Sequence, residues 1–241
     1  MRLFDCGPVA VSEPKPRRIP IVPLDDDRVS ENPFETEAES FRRGDRWRIE
    51  GVALPFVASV SEFESESDFI KWVSSIDNAT DPLFYAIIDL ATNKSVGIAS
   101  YLRIDTHNRT VEVGWLTFSE QLRRSAAATE AMYLMATHAF ELGYRRYEWK
   151  CNALNAPSIA AAERLGFSFE GVFRNAVIVK GHNRDTAWFG FTDGDWPAIK
   201  QAHETWLDAS NFDEAGNQKS SLRDLTAPLR HSAWPTLTVE R

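Results

Sequence analysis

The chain has 241 residues, 43% of them apolar and 12% aromatic, which is enough to bury a sizeable core in one large domain or in one domain with extensions. A formal net charge of -8 argues against nonspecific binding to nucleic acid or to an anionic membrane surface. No apolar run approaches the ~18 residues of a membrane span and no signal-peptide core opens the chain. Cys6 and Cys151 stand far apart in no metal or redox spacing, so the expectation is a cytoplasmic protein with reduced thiols.

In chain order, residues 1–45 read as a partly irregular extension. Pro8, Pro14, Pro16, Pro20 and Pro23 favour extended backbone, and the stretch 19–22 fits an edge strand, where proline is tolerated. An acidic stretch follows, with a short helix expected to end near Phe41 before Gly44. Pro55 interrupts Trp47–Val60. Phe69, Ile70 and Val73 then recur at helical spacing and predict a helix over 65–76, capped by Ser65 or Ser67. After Asp81-Pro82, LFYAIIDL is nearly continuous in apolar residues, as a central strand requires. VGIASYLRID is the second arm of a hairpin turning through 91–94, and TVEVGWLTF follows the turn at His107-Asn108-Arg109.

From Gln121 the period changes. Ala128, Ala131, Met132, Met135, Ala139 and Leu142 recur at three- and four-residue steps, which predicts an amphipathic helix closed by a left-handed Gly143. Tyr147, Trp149 and Cys151 alternate with charged residues as a strand with one buried face. Asn155 then caps a helix with Pro157 in its first turn, and Gly166 ends it. Strands over 167–173 and 185–191 are joined through the turn Lys180-Gly181-His182-Asn183. Trp196 and Trp206 anchor a last helix over 195–207, and residues 208–241 read as a loosely packed tail. The folded domain is therefore placed at 46–207. Strands on both sides of a strand-helix-strand-helix-strand unit give an α/β (α+β) fold with a mixed sheet flanked by helices.

In such a fold an anion binds where a strand ends and a helix begins. The run Arg123, Arg124, Ser125, Ala126, Ala127, Ala128 suits that place: small side chains admit ligand oxygens to backbone N–H groups, and two arginines add charge. The same run also reads as plain helix propensity.

The segment from Pro82 to Trp196 resembles the GCN5-related N-acetyltransferase (GNAT) superfamily, and within it the ribosomal-protein N-terminal acetyltransferases. The resemblance rests on Arg123-x-x-Ala126-x-Ala128 at the cofactor loop, Asn155-Ala-Pro-Ser158, Ala162-Glu-Arg-Leu-Gly166-Phe167, Glu170-Gly171, Asn183-Arg184-Asp185-Thr186-Ala187-Trp188 and Asp195-Trp196-Pro197. It implies a mixed, mostly antiparallel sheet and acetyl-CoA as cofactor. Trp115, Leu116, Thr117 and Phe118 would pair with the pantetheine arm, and Arg123 to Thr129 would hold the pyrophosphate. Asn155 would contact the cofactor near the thioester, with Ser158 close to the sulfur. Asn155 also reads simply as an N-cap and Ser158 as a first-turn residue.

Two family positions are changed. The tyrosine acid that often stands five residues before the phenylalanine of the Gly-Phe pair is Ala162 here, and a glutamate before the late hairpin turn is Val177. The first of these moves the acid role to Ser158 or to water. Glu112, in the strand leading to the site, is the first candidate base, against a plain reading as a solvent-facing strand residue; Asp185 and His182 are substitutes. Cys151 reads as core. The function expected is direct acetyl transfer in a ternary complex to a small-molecule amine or a protein N-terminus, by a monomer or homodimer with no nucleic-acid or membrane partner. The acidic composition favours a cationic amine. The competing expectation is a non-catalytic acyl-CoA-binding or interaction protein on the same fold.

Overall fold

The computed structural model describes residues 79–90 and 94–235, the short strand at 21–23, and residues 71, 72 and 75. Seven strands form one sheet in the order β1-β2-β3-β4-β5-β7-β6, with β1 at Ile21–Pro23, β2 at Leu83–Asp89, β3 at Lys94–Asp105, β4 at Thr110–Phe118, β5 at Arg146–Asn152, β6 at Ser168–Val179 and β7 at His182–Thr192. Every neighbouring pair is antiparallel except β4–β5, which is parallel. That exception follows from the chain: α1 at Ala126–Glu141 crosses over between them, as a parallel connection requires. Helix α2 at Ala156–Arg164 links β5 to β6, and α3 at Trp196–Leu207 follows β7.

One face of the sheet packs its apolar residues against α1, α2 and α3, while on β2 Phe84 packs on Trp72 and Trp115. Tyr147, Trp149, Phe167, Phe189, Phe191 and Trp196 form an aromatic centre, with Phe167 and Phe191 ring centroids 4.4 Å apart. Met132, Met135, Ala136 and Ala139 bring the small-residue face of α1 onto it. The proposed helix ends hold: Gly143 and Gly166 have φ of +88° and +99°, conformations that a Cβ would strain. Residues 19–22 anticipate β1, which pairs with β2 at the sheet edge. Of the helix expected over 65–76, residues 71, 72 and 75 are helical and the rest lie outside the described residues, as do the expected helix ending near Phe41, the stretch Trp47–Val60, Cys6 and the 91–93 turn. Strands β6 and β7 run further than expected, to the turn itself, because a bulge over 174–176 lets pairing resume at Val177↔Arg184; the Asp185 carboxylate holds the bulge by accepting the Asn175 N–H at 2.8 Å.

The expectation of a loose tail after Leu207 is corrected. A 3₁₀ turn at Ala209–Asn211, helix α4 at Leu222–Thr226 and a second 3₁₀ turn at Ala227–Leu229 pack against α2 and α3. Leu222 and Thr226 are fully buried, and the Thr226 hydroxyl donates to the Arg164 carbonyl at 3.1 Å. Asn211 ties the segment together, donating to the carbonyls of Trp206 and Ser220 and accepting from the Ser220 N–H. Trp234 reaches Phe169, and its N–H donates to Glu163 at 2.7 Å. The sequence looked polar there because few side chains do the packing and polar ones satisfy the turns.

One histidine is locked into this packing. His203 on α3 is 3% exposed, with Nε2 on the Leu165 carbonyl at 3.0 Å. Burial lowers its pKa from 6.5 to about 4. The unfolded chain therefore binds the extra proton first, so stability is full above pH 6.5 and falls as pH drops through the window from 6.5 to 4. The expected loss across that window is on the order of 3 kcal/mol. Melting temperatures of the wild type and His203→Phe between pH 7.5 and 4 test this; the variant's curve should be flatter over that window.

Candidate active site

The site begins with a break in pairing. Strands β4 and β5 are hydrogen-bonded only over Thr110–Glu112 and Arg146–Glu148, after which they part. A bulge explains the divergence. Ile98 faces Thr117 and Ser100 faces Gly114, so Trp115 and Leu116 together oppose Ala99, and Trp115 takes a left-handed φ of +52°. A bulge bends its strand and sharpens the twist, which turns β4 away from β5. Trp115 to Phe118 therefore present one backbone edge to β3 and the other to the split.

The far end of β4 leads to α1. The loop after Phe118 is closed by the N–H groups of Leu122 and Arg123 on the Ser119 carbonyl, and Arg124 is left-handed at φ +58°. A Cβ added to Gly97 would lie 2.8 Å from Leu122 Cδ2 and 2.9 Å from the Thr117 carbonyl, so β3 must be bare there for the loop to sit down. Ser125 is the N-cap, and Ala126 to Thr129 are the first helical turn rather than loop. Three of the expected contacts are redirected by this geometry. The Ala128 N–H is taken by Ser125 Oγ at 3.1 Å, Arg123 Nε donates to the Phe118 carbonyl at 3.0 Å, and buried Thr129 Oγ1 accepts from Arg164 at 3.0 Å. What remains for an anion is the positive end of a 16-residue helix, whose first N–H groups have no intrahelical partner, lined by half-buried Ala126 and Ala127.

Across the split, Asn155 caps α2, its side chain accepting the Ser158 N–H at 3.2 Å. Ser158 Oγ accepts from Trp149 Nε1 at 3.1 Å and also lies in hydrogen-bonding contact with Cys151. Cys151 is buried, and burial pushes its thiol up to about 11, which fits the core reading and leaves it protonated. Ala162 is fully buried in the core, and its methyl group supplies no acid.

Glu112 occupies the vertex, in the last paired row of the parallel ladder opposite Glu148. It is not solvent-facing: it is 5% exposed, with Lys150 Nζ at 2.8 Å and Arg103 Nε at 3.4 Å from its carboxylate. Burial raises its pKa above the usual carboxylate value, while Lys150 and Arg103 oppose the rise. The Lys150 ammonium and the Arg103 guanidinium also lie over the Trp188 ring, at 4.7 and 5.0 Å from its centroid. Sequence reasoning missed Arg103, Lys150 and Trp188. Lys150 looked like the solvent side of an alternating strand, and nothing local showed that both faces of β5 are covered. The substitutes fare differently: Asp185 serves the β6 bulge and is held charged by the Asn175 N–H, while His182 is exposed at the hairpin turn. Val177 is 44% exposed on the same hairpin.

The family model for the acetyltransferase (GNAT) domain matches residues 32–168 of this sequence, more than half of the chain. The chain belongs to the GNAT acetyltransferase family. A GCN5-related N-acetyltransferase from Brucella melitensis is 38% identical, covering 88% of this chain and 93% of its own, with a TM-score of 0.74. A Chromobacterium violaceum structure described as a GNAT-family acetyltransferase is also 38% identical, covering 76% and 92%, with a TM-score of 0.61. The uncharacterized N-acetyltransferase YokL, derived from the SPbeta prophage of Bacillus subtilis, is 29% identical over 129 residues, 53% of this chain and 71% of YokL. The mixed, mostly antiparallel sheet flanked by helices is that of the solved GNAT structures, and the family makes this chain an acetyltransferase. No helix among the described residues is long and apolar enough to cross a membrane, and no group of three or more His, Cys, Asp or Glu among them could hold a metal.

Proposed function

We propose that this GNAT enzyme transfers acetyl from acetyl-CoA to a primary amine, directly, within a ternary complex. The observation that carries the reading is the split between β4 and β5, which has a buried carboxylate at its vertex and a helix N-terminus at its mouth. Acetyl-CoA, when bound, supplies an activated thioester carbonyl. It fits the residues present: the free edge of Trp115–Phe118 suits an amide-bearing arm, the start of α1 suits a pyrophosphate, and the small side chains between them leave room.

In this reading the backbone of Trp115 to Phe118 aligns the arm, and Arg123 to Thr129 contribute mainly through the α1 terminus and the loop arginines. Asn155 fixes the first turn of α2 and thereby sets Ser158 beside the thioester sulfur, where its hydroxyl can donate to a departing thiolate. Glu112 takes the proton that the amine must lose, directly or through water. A protonated, buried Cys151 favours transfer without an acyl-enzyme. The acceptor is a small-molecule amine or a peptide N-terminus, and the protein acts as a monomer or homodimer in the cytoplasm.

Asn155→Ala and Ser158→Ala test the site. Each is expected to lower kcat about tenfold or more, since positioned acid-base groups contribute roughly 10²–10⁴ in rate. Neither should shift the melting temperature by more than a few degrees, because the Asn155 cap is expected to add only about 1 kcal/mol. Unchanged turnover in both would remove these residues from the site.

A further inference from the structure

Strand β7 alternates between the two faces of the sheet. Ala187, Phe189 and Phe191 enter the core, so Arg184, Thr186 and Trp188 share the opposite face with Glu112 and Lys150. Each of the three carries a buried polar atom without a hydrogen-bond partner: Arg184 Nε, Thr186 Oγ1 and Trp188 Nε1. Thr186 is 6% exposed. Buried donors are nearly always paired in folded proteins, so three unpaired ones in a row along one strand mark a place where something with acceptor atoms belongs.

Their position ties them to the split. Trp188 stands opposite Lys150 and Thr186 opposite Asn152, the last residue of β5, with Arg184 just beyond it. The row thus runs about 13 Å along β7, four residues at ~3.3 Å each, toward the end where the two parallel strands are furthest apart. Glu112 is met by Lys150 and Arg103, and Glu148 beside it by Arg146, which leaves Arg184 as the charge at the far end of the row. Among the described residues Arg184 has no carboxylate within ion-pair range.

We infer that this face is the acceptor site and that it selects an amine carrying a carboxylate several bonds away, held at the Arg184 and Thr186 end of the row while the amine lies toward Trp188 and Glu112. The inference rests on the acetyl-transfer reading and gives it a substrate class. A polyamine offers its ammonium donors, so it could reach the Thr186 hydroxyl but would leave Arg184 and Trp188 unpaired and meet an unneutralised arginine. A carboxylate supplies acceptors and charge together. The acidic composition pointed to a cationic amine, but it describes the whole surface and not this pocket.

The test uses matched trios of equal length: 4-aminobutyrate with butylamine and putrescine, and 6-aminohexanoate with hexylamine and 1,6-diaminohexane. Thiol release from acetyl-CoA is read for each. The carboxylate member of at least one trio should lead in kcat/KM by about tenfold or more, as expected where a site is built to hydrogen-bond a group its competitors lack. Arg184→Gln should shrink that lead below about threefold, through KM, with acetyl-CoA affinity unchanged; Thr186→Val is the second variant should the first fold poorly. Calorimetry of the CoA-loaded protein with N-acetyl-6-aminohexanoate and with N-hexylacetamide reads the same pocket without turnover. Preference for the carboxylate in calorimetry but no thiol release with any amine would support the pocket and overturn the transfer reading. Turnover with equal or better use of the diamines, or no preference for the carboxylate in either assay, would overturn the pocket and leave the transfer reading standing.

Discussion

Glu112→Gln is expected to lower kcat by about 10²-fold, close to 2.7 kcal/mol of transition-state stabilisation, with the dissociation constant of acetyl-CoA unchanged. The amide keeps the shape and can still accept from Lys150, so the loss isolates the proton-accepting role rather than the packing. The pH dependence carries a second signature. The Glu112 carboxyl lies above the usual carboxylate range because burial outweighs the pull of Lys150 and Arg103. A base must be ionised to work, so kcat/KM should rise with pH through that displaced limb, and the limb should vanish in Glu112→Gln. A variant with wild-type kcat and an unchanged acid limb would show that the vertex carboxylate is only structural.

Leu222→Ala is expected to destabilise the protein by about 3 kcal/mol, within the roughly 2–5 kcal/mol range for emptying a fully buried leucine site, and to lower the melting temperature by roughly 6–12 °C. The effect arises because α4 closes the core against α2 and α3, with Thr226 and Asn211 satisfying the backbone around it. Helix α2 carries Asn155 and Ser158, so loosening its outer side should also weaken the site. Thermal unfolding of Leu222→Ala against an exposed control such as Arg223→Ala separates core loss from surface change. Equal melting temperatures would mean that the segment after Leu207 is dispensable to the fold.

The strands and helices from Leu83 to Leu207 were legible because period alone separates them: a continuous apolar run in β2, three- and four-residue steps in α1, strict alternation in β5. Asn155 and Gly143 could be placed because caps and left-handed glycines are local events. The split was not legible, since it arises from a bulge at Trp115 whose signature is a pairing register rather than a residue type. Glu112 was named, but its burial was not, because alternation along one strand cannot show what covers its outer face. The ion pair with Lys150 joins residues 38 positions apart, and the stack on Trp188 joins the same lysine to a strand beyond the helix. Such contacts exist only once the sheet order is fixed. The segment after Leu207 escaped because three short elements held by caps and turn hydrogen bonds carry too few apolar residues to show a period.

In the proposed reaction the split holds acetyl-CoA and delivers its acetyl group to an amine. Titration calorimetry with acetyl-CoA on the 241-residue chain, followed by thiol release over an amine panel on the same sample, tests both steps. The predicted result is one-site binding, followed by release of one thiol for each amine acetylated, with release dependent on both acetyl-CoA and the amine. Binding without release on any amine would contradict the transfer claim and favour a non-catalytic acyl-CoA binder, and absence of binding would contradict the site itself.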